Sequence, residues 1–156
     1  MKIYSLTRSS SLPVSLQEAF AFFEDPRNLA RITPPWLNFR ITSPEPIHMR
    51  KGAEITYMIR WLGLPLNWKT VITEYEPPFF FVDEQAAGPY ASWRHRHEFK
   101  PTEYGALVSD HVEYALPFGM IGRLAHALAV RRQLQQIFDY RQKALAELLT
   151  DAPTVK

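Results

Sequence analysis

The N-terminal part of the chain passes from an alternating pattern of side chains to two short helical patterns. Residues 3–10 alternate between two sets of side chains, and this period of two predicts a first strand at the edge of a sheet. Ser15 has the character of a helix N-cap, and Glu18, three residues later, can complete a capping box. A second short helix is expected to begin at Asp25-Pro26 and to end at Pro34-Pro35.

From Trp36 to Leu116 apolar residues recur at every second position, which is the pattern of half-buried strands. Turn-forming segments, most of them rich in proline or glycine, interrupt this pattern. The six strands predicted between the interruptions are Leu37–Ser43, Ala53–Trp61, Leu66–Tyr75, Phe79–Ala86, Ala91–Lys100 and Ala106–Leu116. Consecutive strands with short links pair antiparallel, so we expect a meander.

After Gly119 the apolar positions follow the helical period and predict one helix of roughly 30 residues, about 45 Å long. Its apolar stripe is Ile121, Leu124, Ala125, Leu128, Leu134, Ile137, Phe138, Leu145 and Leu148. Arg123, Arg131 and Arg132 belong to the opposite face. We interpret that face as solvated, with contact to a membrane or an acidic partner as the alternative.

The order of elements is strand, two short helices, six strands and one long helix, which defines the α+β class. A seven-stranded antiparallel sheet must cover its apolar face, and only the long helix is large enough to do so. We therefore expect a single domain over residues 1–150, in which a curved sheet wraps around the C-terminal helix and leaves a cavity. Residues 151–156 are expected to form a frayed tail.

The composition excludes several classes of protein. Hydrophobic residues make up 46% of the 156 residues, charged residues 22%, and the net charge is +2 without a tract of Lys or Arg. Nothing here points to nucleic acid. Cysteine is absent, so disulfides and thiolate chemistry are excluded, which fits a cytoplasmic location. We find no signal peptide and no transmembrane segment, and the oligomeric state stays open.

Four segments carry a resemblance to a known family: PRNLARITPPWLNF, FFVDEQAAGPYASWRHRHEF, SDHVEYALPFG and IFDYRQKAL. They resemble the START/SRPBCC superfamily, which includes polyketide cyclase/dehydrase-like proteins. More narrowly, they resemble small stand-alone bacterial members related to domains labelled cell-division inhibitor. The resemblance implies a helix-grip fold with a deep hydrophobic cavity between the sheet and the C-terminal helix. Because this fold hosts carriers, cyclases and hydrolases, the resemblance does not name a ligand.

The segment WRHRHEF contains the first candidates for chemistry. On a strand, His95 and His97 share one face with Trp93 and Phe99, and we expect this face to line the cavity. Asp110 lies on the inner face of the following strand. A buried carboxylate is costly unless it is paired, so Asp110 is predicted to hydrogen-bond to His95 or His97.

Three interpretations of His95, His97 and Asp110 remain open. A metal site would need a third firm ligand that the sequence does not supply, so no metal or other cofactor is predicted. A His–Asp pair in a dry pocket could instead transfer a proton to or from a bound molecule. The interpretation that needs no further residues is a polar network that offers hydrogen bonds to a ligand, and we favour it.

Further inward-facing side chains are predicted to line the cavity. Asp83 and Gln85 face either the cavity or solvent, whereas Tyr90 and Phe118 lie at turns that would border the entrance. The predicted ligand-binding residues are Tyr57, Trp61, Trp68, Thr70, Phe81, Asp83, Gln85, Tyr90, Trp93, His95, His97, Asp110, Tyr114 and Phe118.

We expect these residues to bind a small hydrophobic or amphipathic ligand that is lipid-, polyketide- or steroid-like. The alternative is an enzyme of polyketide cyclase/dehydrase type that uses His95 or His97 with Asp110. A weaker alternative is an interaction module in processes related to cell division.

Overall fold

The computed structural model describes residues 1–61 and 63–150, so the predicted tail, residues 151–156, lies outside the described residues. The strands are β1 (Tyr4–Leu12), β2 (Arg40–Ile41), β3 (Glu54–Trp61), β4 (Leu64–Glu76), β5 (Phe80–Ala87), β6 (Ser92–Thr102) and β7 (Gly105–Ala115). The α-helices are α1 (Leu16–Glu24), α2 (Gly119–Ala125) and α3 (Arg131–Thr150). Two 3₁₀ helices, Pro26–Ile32 and Pro35–Leu37, follow α1, and a π-helical segment, His126–Val130, joins α2 to α3.

The strands form one seven-stranded sheet in the order β1-β7-β6-β5-β4-β3-β2, and every neighbouring pair is antiparallel. The predicted meander and the predicted edge position of β1 are confirmed. The curved sheet covers the long C-terminal helix, which confirms the α+β class and the expected arrangement.

The register of the strands defines two ends of the sheet. Ser92, at the start of β6, lies opposite Ala115, at the end of β7, and we call this the upper end. The β3–β4 hairpin lies at the same end, because Lys69 of β4 is opposite Ala87, the last residue of β5. The β6–β7 turn, which contains Tyr104, lies at the lower end.

Helix α1 begins as the sequence predicts. The Glu18 backbone N–H donates to Ser15 Oγ at 3.1 Å, and the Ser15 N–H donates to Glu18 Oε2 at 2.8 Å. This capping box satisfies two backbone donors at the helix start. The helix places Phe20 edge-on against Phe81 and Phe99, and these buried rings form the centre of the lower core.

The predicted second short helix is confirmed after α1, as a 3₁₀ helix, Pro26–Ile32, capped by the Asp25 side chain. The prediction of the second strand is wrong in its bounds. It was predicted as Leu37–Ser43, but the strand spans only Arg40–Ile41. The first residue of the predicted strand belongs instead to the 3₁₀ helix that follows Pro34, and Asn38 then adopts a left-handed backbone, with φ of 47°.

The C-terminal helix is not uniformly α-helical, and this changes which of its faces is buried. The buried positions Gly122, His126, Val130 and Leu134 follow one another at intervals of four residues. An ideal helix has 3.6 residues per turn and would rotate these positions apart, whereas the wider π turn keeps them on one side. As a consequence Ile121, Leu124 and Leu128, predicted as part of the buried stripe, are exposed.

Candidate functional site

A cavity of about 400 Å³ lies between the inner face of the sheet and the C-terminal helix. The 3₁₀ helix Pro26–Ile32 covers part of it with Leu29 and Ile32. The wall of the cavity is mostly apolar and aromatic, and only a few of its side chains are polar.

Eleven of the predicted ligand-binding residues border this cavity. They are Tyr57, Trp61, Trp68, Thr70, Phe81, Asp83, Tyr90, Trp93, His95, His97 and Phe118. All lie on strands β3 to β6 or on the connections at the upper end, because the alternation of these strands points the same set of side chains inward.

Three of the predicted residues do not border the cavity. The Gln85 side chain donates to the Tyr90 carbonyl at 2.8 Å and accepts from the Tyr90 N–H at 3.2 Å, so it braces the β5–β6 loop. Asp110 lies behind the histidines on β7. The Tyr114 hydroxyl is 2.8 Å from His126 Nε2, so its ring is covered by the C-terminal helix.

His95 forms the first buried pair of the site. Its Nε2–H donates to Asp110 Oδ1 at 2.7 Å, which confirms the predicted hydrogen bond between Asp110 and one of the two histidines. Burial, together with the neighbouring His97, lowers the pKa of His95 to about 4 despite the carboxylates of Asp110 and Asp83. His95 is therefore neutral near pH 7, and the bond to Asp110 leaves its Nδ1 unprotonated.

His97 forms the second pair, with Asp83. Its Nε2–H donates to Asp83 Oδ2 at 2.6 Å. Burial works to lower the pKa of His97, but its contacts with Asp110 and Asp83 outweigh burial and raise the pKa above the ordinary value. For Asp83 the balance is reversed. Burial alone would raise its pKa, but the hydrogen bond from His97 and the surrounding positive charge lower the pKa below the ordinary value. The two histidine rings stack with their centroids 3.7 Å apart.

Arg141 of α3 completes the cluster from the opposite side of the cavity. Its Nη2 lies 3.3 Å from Asp110 Oδ1. Burial opposes ionisation of Asp110, but the guanidinium and the two histidines hold its pKa well below the usual range. His97 Nδ1 lies 3.4 Å from both Asp110 Oδ1 and Arg141 Nη2, so it has a partner whether or not it carries a proton.

The charges of this cluster oppose one another. Two carboxylates, Asp83 and Asp110, face the guanidinium of Arg141 and His97, whose raised pKa favours the imidazolium form. Charges removed from water are tolerated only when they are paired in this way. We call these four residues together with His95 the polar cluster.

Arg141 is the site residue that the sequence interpretation missed. A signal for it exists, because Arg141 lies between Phe138 and Leu145 at the spacing of the apolar stripe, where a basic residue is unexpected. In the structure the guanidinium is buried, with its carbon 5.2 Å from the centre of the Phe23 ring and 5.6 Å from that of Phe138.

Two buried donors on residues that border the cavity are unused within the described part of the chain. The indole Nε1–H of Trp68 and the Nε–H of Arg141 have no hydrogen-bond partner there. An unpaired buried donor costs about 1–3 kcal/mol, so both groups would gain from a nearby acceptor.

A metal ion has suitable donor atoms at the polar cluster. Asp83, His95 and His97 each offer one ligand atom, and these atoms all lie within 4.8 Å of one another. The carboxylate of this candidate ligand group is thus Asp83, not Asp110 as the sequence suggested. Coordination would require His97 Nε2 to give up its bond to Asp83, and Asp110 is already paired with Arg141 and His95, so the donor set fits hydrogen bonding better.

An antiparallel sheet that grips a C-terminal helix, with an apolar cavity between the two, defines the helix-grip fold of the START/SRPBCC superfamily. The chain belongs, within that superfamily, to the family described as "Polyketide cyclase / dehydrase and lipid transport", whose pattern it matches over residues 12–138. The resemblance to the START/SRPBCC superfamily is thereby confirmed.

Solved structures with the same fold come from distant proteins. Protein CV1439 from Chromobacterium violaceum is 17% identical with a TM-score of 0.71, and the match covers 93% of this chain and 96% of that one. The di-domain ARO/CYC protein StfQ of the steffimycin biosynthetic pathway is 11% identical with a TM-score of 0.71, over 96% of this chain and 52% of StfQ. The major latex-like protein 151 of Panax ginseng is 11% identical, with a TM-score of 0.67, over 92% and 95%.

These identities establish the shared fold and do not transfer an activity. No match was found among curated proteins. The expected link to cell division and the expected cytoplasmic location both stay predictions. Within residues 1–61 and 63–150, no helix combines the length and the apolar character needed to cross a membrane.

Proposed function

We propose that the protein binds a small amphipathic molecule, lipid-, polyketide- or steroid-like, in the cavity between the sheet and the C-terminal helix. The observation that carries the proposal is an apolar cavity of about 400 Å³ with the polar cluster in its wall. Small-molecule sites measure about 300–1,000 Å³ and combine apolar walls with a few fixed polar groups.

The aromatic wall favours a ligand with flat, apolar rings. Trp68 stacks on Tyr57 with ring centroids 5.8 Å apart, and it meets Trp93 edge-on at 5.3 Å. Tyr90 continues this group, with its ring centroid 4.9 Å from that of Trp93. Such walls offer broad dispersion contacts, and the indole N–H of Trp68 adds an unused donor.

The polar cluster favours an uncharged polar group on the ligand. When His97 is protonated, as its raised pKa favours, the four charges of the cluster balance, so an added ligand charge would be buried without a counter-charge. A hydroxyl can donate to the unprotonated His95 Nδ1, and a hydroxyl or carbonyl oxygen can accept from the unused Arg141 Nε–H, without that cost.

The proposal is tested by native mass spectrometry of protein purified from its own host, with two variants. Leu66 borders the cavity and is half-buried on β4, so Leu66→Trp should fill the cavity and abolish the adduct of a co-purifying small molecule. Leu107, half-buried on β7 away from the cavity, provides the matched control, and Leu107→Trp should retain the adduct. Absence of any adduct, with no uptake of the neutral probe N-phenyl-1-naphthylamine, would overturn the proposal.

A second candidate function is proton transfer to or from the bound molecule. The observation in its favour is that the pKa values of two stacked histidines are displaced in opposite directions, His95 to about 4 and His97 above its ordinary value. Neighbouring groups with separated pKa values often act as a base and an acid. Here His95 Nδ1 would accept a proton and His97 would donate one.

Protein purified in the same way distinguishes a carrier from a proton-transfer enzyme. The ligand recovered from the protein is incubated in D₂O with the wild type, with His95→Ala and with His97→Ala, and deuterium on carbon is followed by mass spectrometry. A proton-transfer enzyme incorporates deuterium in the wild type only. A carrier incorporates none, and its variants retain the ligand with a loss of about 1–3 kcal/mol in binding free energy.

A further inference from the structure

The first turns of the C-terminal helix present a row of large apolar side chains to solvent. Phe118, Met120, Ile121, Leu124 and Leu128 are between 61% and 79% exposed. We call these five residues the apolar ridge. A group of this size on an exposed helix face marks an interaction surface.

The apolar ridge is continuous with the cavity entrance at the upper end of the sheet. Phe118 and Ile121 belong to the ridge and also border the cavity. Exposed apolar residues of two other segments, Ile3 before β1 and Leu64 in the β3–β4 hairpin, lie at the same end. Exposed apolar residues therefore lie at the end of the sheet where the ridge borders the cavity.

The backbone conformation of the turn before α2 directs Phe118, the first residue of the apolar ridge, toward solvent. Phe118 precedes α2 in the left-handed region, with φ of 68°, and Gly119 follows with φ of 52°. A bulky residue in this region is costly, so the surrounding fold imposes the turn that sends the Phe118 ring into solvent.

The charged residues on the chain segment that carries the ridge are all positive. Residues 114–138 contain Arg123, Arg131 and Arg132 and no Asp or Glu, in a chain whose net charge is +2. All three arginines are exposed, and none of them forms an ion pair within the described residues. Apolar side chains beside unpaired arginines match a surface that is apolar at depth and anionic at its boundary.

We propose that this end of the protein docks on an anionic lipid bilayer. The apolar ridge enters the boundary between headgroups and acyl chains, and Arg123, Arg131 and Arg132 contact lipid phosphates. A second copy of this chain fits the surface less well, because its own arginines would meet those of the first. Docking places the cavity entrance against the bilayer, so an amphipathic ligand can pass between the two without crossing water; this last step rests on the proposed function.

The test is co-flotation of the full-length protein with phosphatidylcholine vesicles that either contain or lack phosphatidylglycerol. The wild type should float with the anionic vesicles, less so with neutral ones, and high salt should weaken the binding. Arg131→Gln combined with Arg132→Gln should weaken it about 30-fold. Leu124→Asp combined with Leu128→Asp should reduce it below detection.

Matched controls come from the lower end of the sheet. Arg50 and Lys51 are exposed in the turn before β3, and Tyr104 is exposed in the β6–β7 turn. Arg50→Gln with Lys51→Gln, and Tyr104→Asp, should float as the wild type does. All altered positions are exposed, so thermal melting should show that each variant is folded.

Three outcomes would overturn the docking proposal. They are a wild type that does not bind anionic vesicles, ridge variants that bind as well as the controls, or a dimer in sedimentation analysis that the ridge variants dissociate. The Leu66→Trp variant separates this proposal from the proposed function. If it floats normally but carries no ligand, docking and ligand binding are independent properties, and failure of one leaves the other standing.

Discussion

At the scale of single residues, the site depends on the way four buried polar side chains and the half-buried Asp83 compensate one another. Asp110 accepts a hydrogen bond from His95, Asp83 accepts one from His97, and Arg141 supplies the remaining positive charge. His95, His97, Asp110 and Arg141 are buried, where each polar group would be costly alone and water cannot replace a lost partner. The loss of one member should therefore affect the others.

Replacing Arg141 by methionine should destabilise the protein by about 3–5 kcal/mol, because the Asp110 carboxylate would stay buried without its guanidinium. Urea denaturation measures this change in the free energy of unfolding. Arg132→Met, at an exposed position of the same helix, should change the free energy by less than about 0.5 kcal/mol. Asp110→Asn should recover part of the loss when added to Arg141→Met. Equal effects of Arg141→Met and Arg132→Met would contradict the buried role of Arg141.

The two histidines should give the protein maximal stability near pH 6.5, the ordinary pKa of histidine. Below this pH the unfolded chain gains a proton at His95 that the folded protein takes up only near its pKa of about 4, so stability falls by up to about 3 kcal/mol. Above it, the unfolded chain loses the His97 proton that the folded protein retains, so stability falls again as the pH rises through the folded pKa.

Denaturation between about pH 4 and pH 8 tests this profile. His97→Gln should flatten the alkaline side, and His95→Asn should reduce the slope on the acid side, where the lowered pKa of His126 also contributes. His48→Asn, at an exposed position, is the matched control. A wild-type profile that rises steadily across the range would refute the assignment of the two histidines.

At the scale of elements, four segments each deliver part of the site. Strand β6 carries both histidines on its inner face, β7 carries Asp110, β5 carries Asp83, and α3 carries Arg141. The π-helical segment His126–Val130, which joins α2 to α3, has a different role. It determines which side of α2 packs against the rest of the protein. Close approach of α2 to the end of β7 depends on Gly122, since a Cβ there would collide with the Pro117 carbonyl oxygen.

Gly122→Ala should therefore lower the melting temperature, although alanine normally stabilises a helix interior by about 1 kcal/mol relative to glycine. The collision with Pro117 should displace α2 and weaken the bond between Tyr114 and His126, which hydrogen exchange of residues 119–130 would report as faster exchange. A rise in melting temperature would show that α2 is not held against this carbonyl.

At the scale of the whole molecule, the two ends of the sheet carry different groups, so the protein is asymmetric along the direction of its strands. The lower end is filled by the packed rings of Phe20, Phe81 and Phe99, whereas at the upper end the apolar ridge borders the cavity and carries exposed arginines beside it. The polar cluster lies in the wall between the two. Ligand binding and membrane docking, as proposed, use this one asymmetry.

Much of the fold and part of the site could be predicted from the sequence. The period of two in strands β3 to β7 depends on local backbone geometry, so it placed His95, His97 and Asp110 on inner faces before any contact was known. The capping box at Ser15 and the antiparallel meander are likewise local and were predicted. These features depend only on the spacing of residues within each segment.

The tertiary structure alone decided which inner faces meet and at what distance. Asp83 reaches His97 because the pairing of β5 with β6 sets Asp83 opposite His95, one inward position along from His97, and no spacing in the sequence reports that register. Arg141 joins the cluster only because α3 crosses the cavity at that height, and the π-helical segment turned Leu124 and Leu128 outward. Local sequence determines the face on which a side chain lies, whereas its partners depend on packing between elements far apart in the chain.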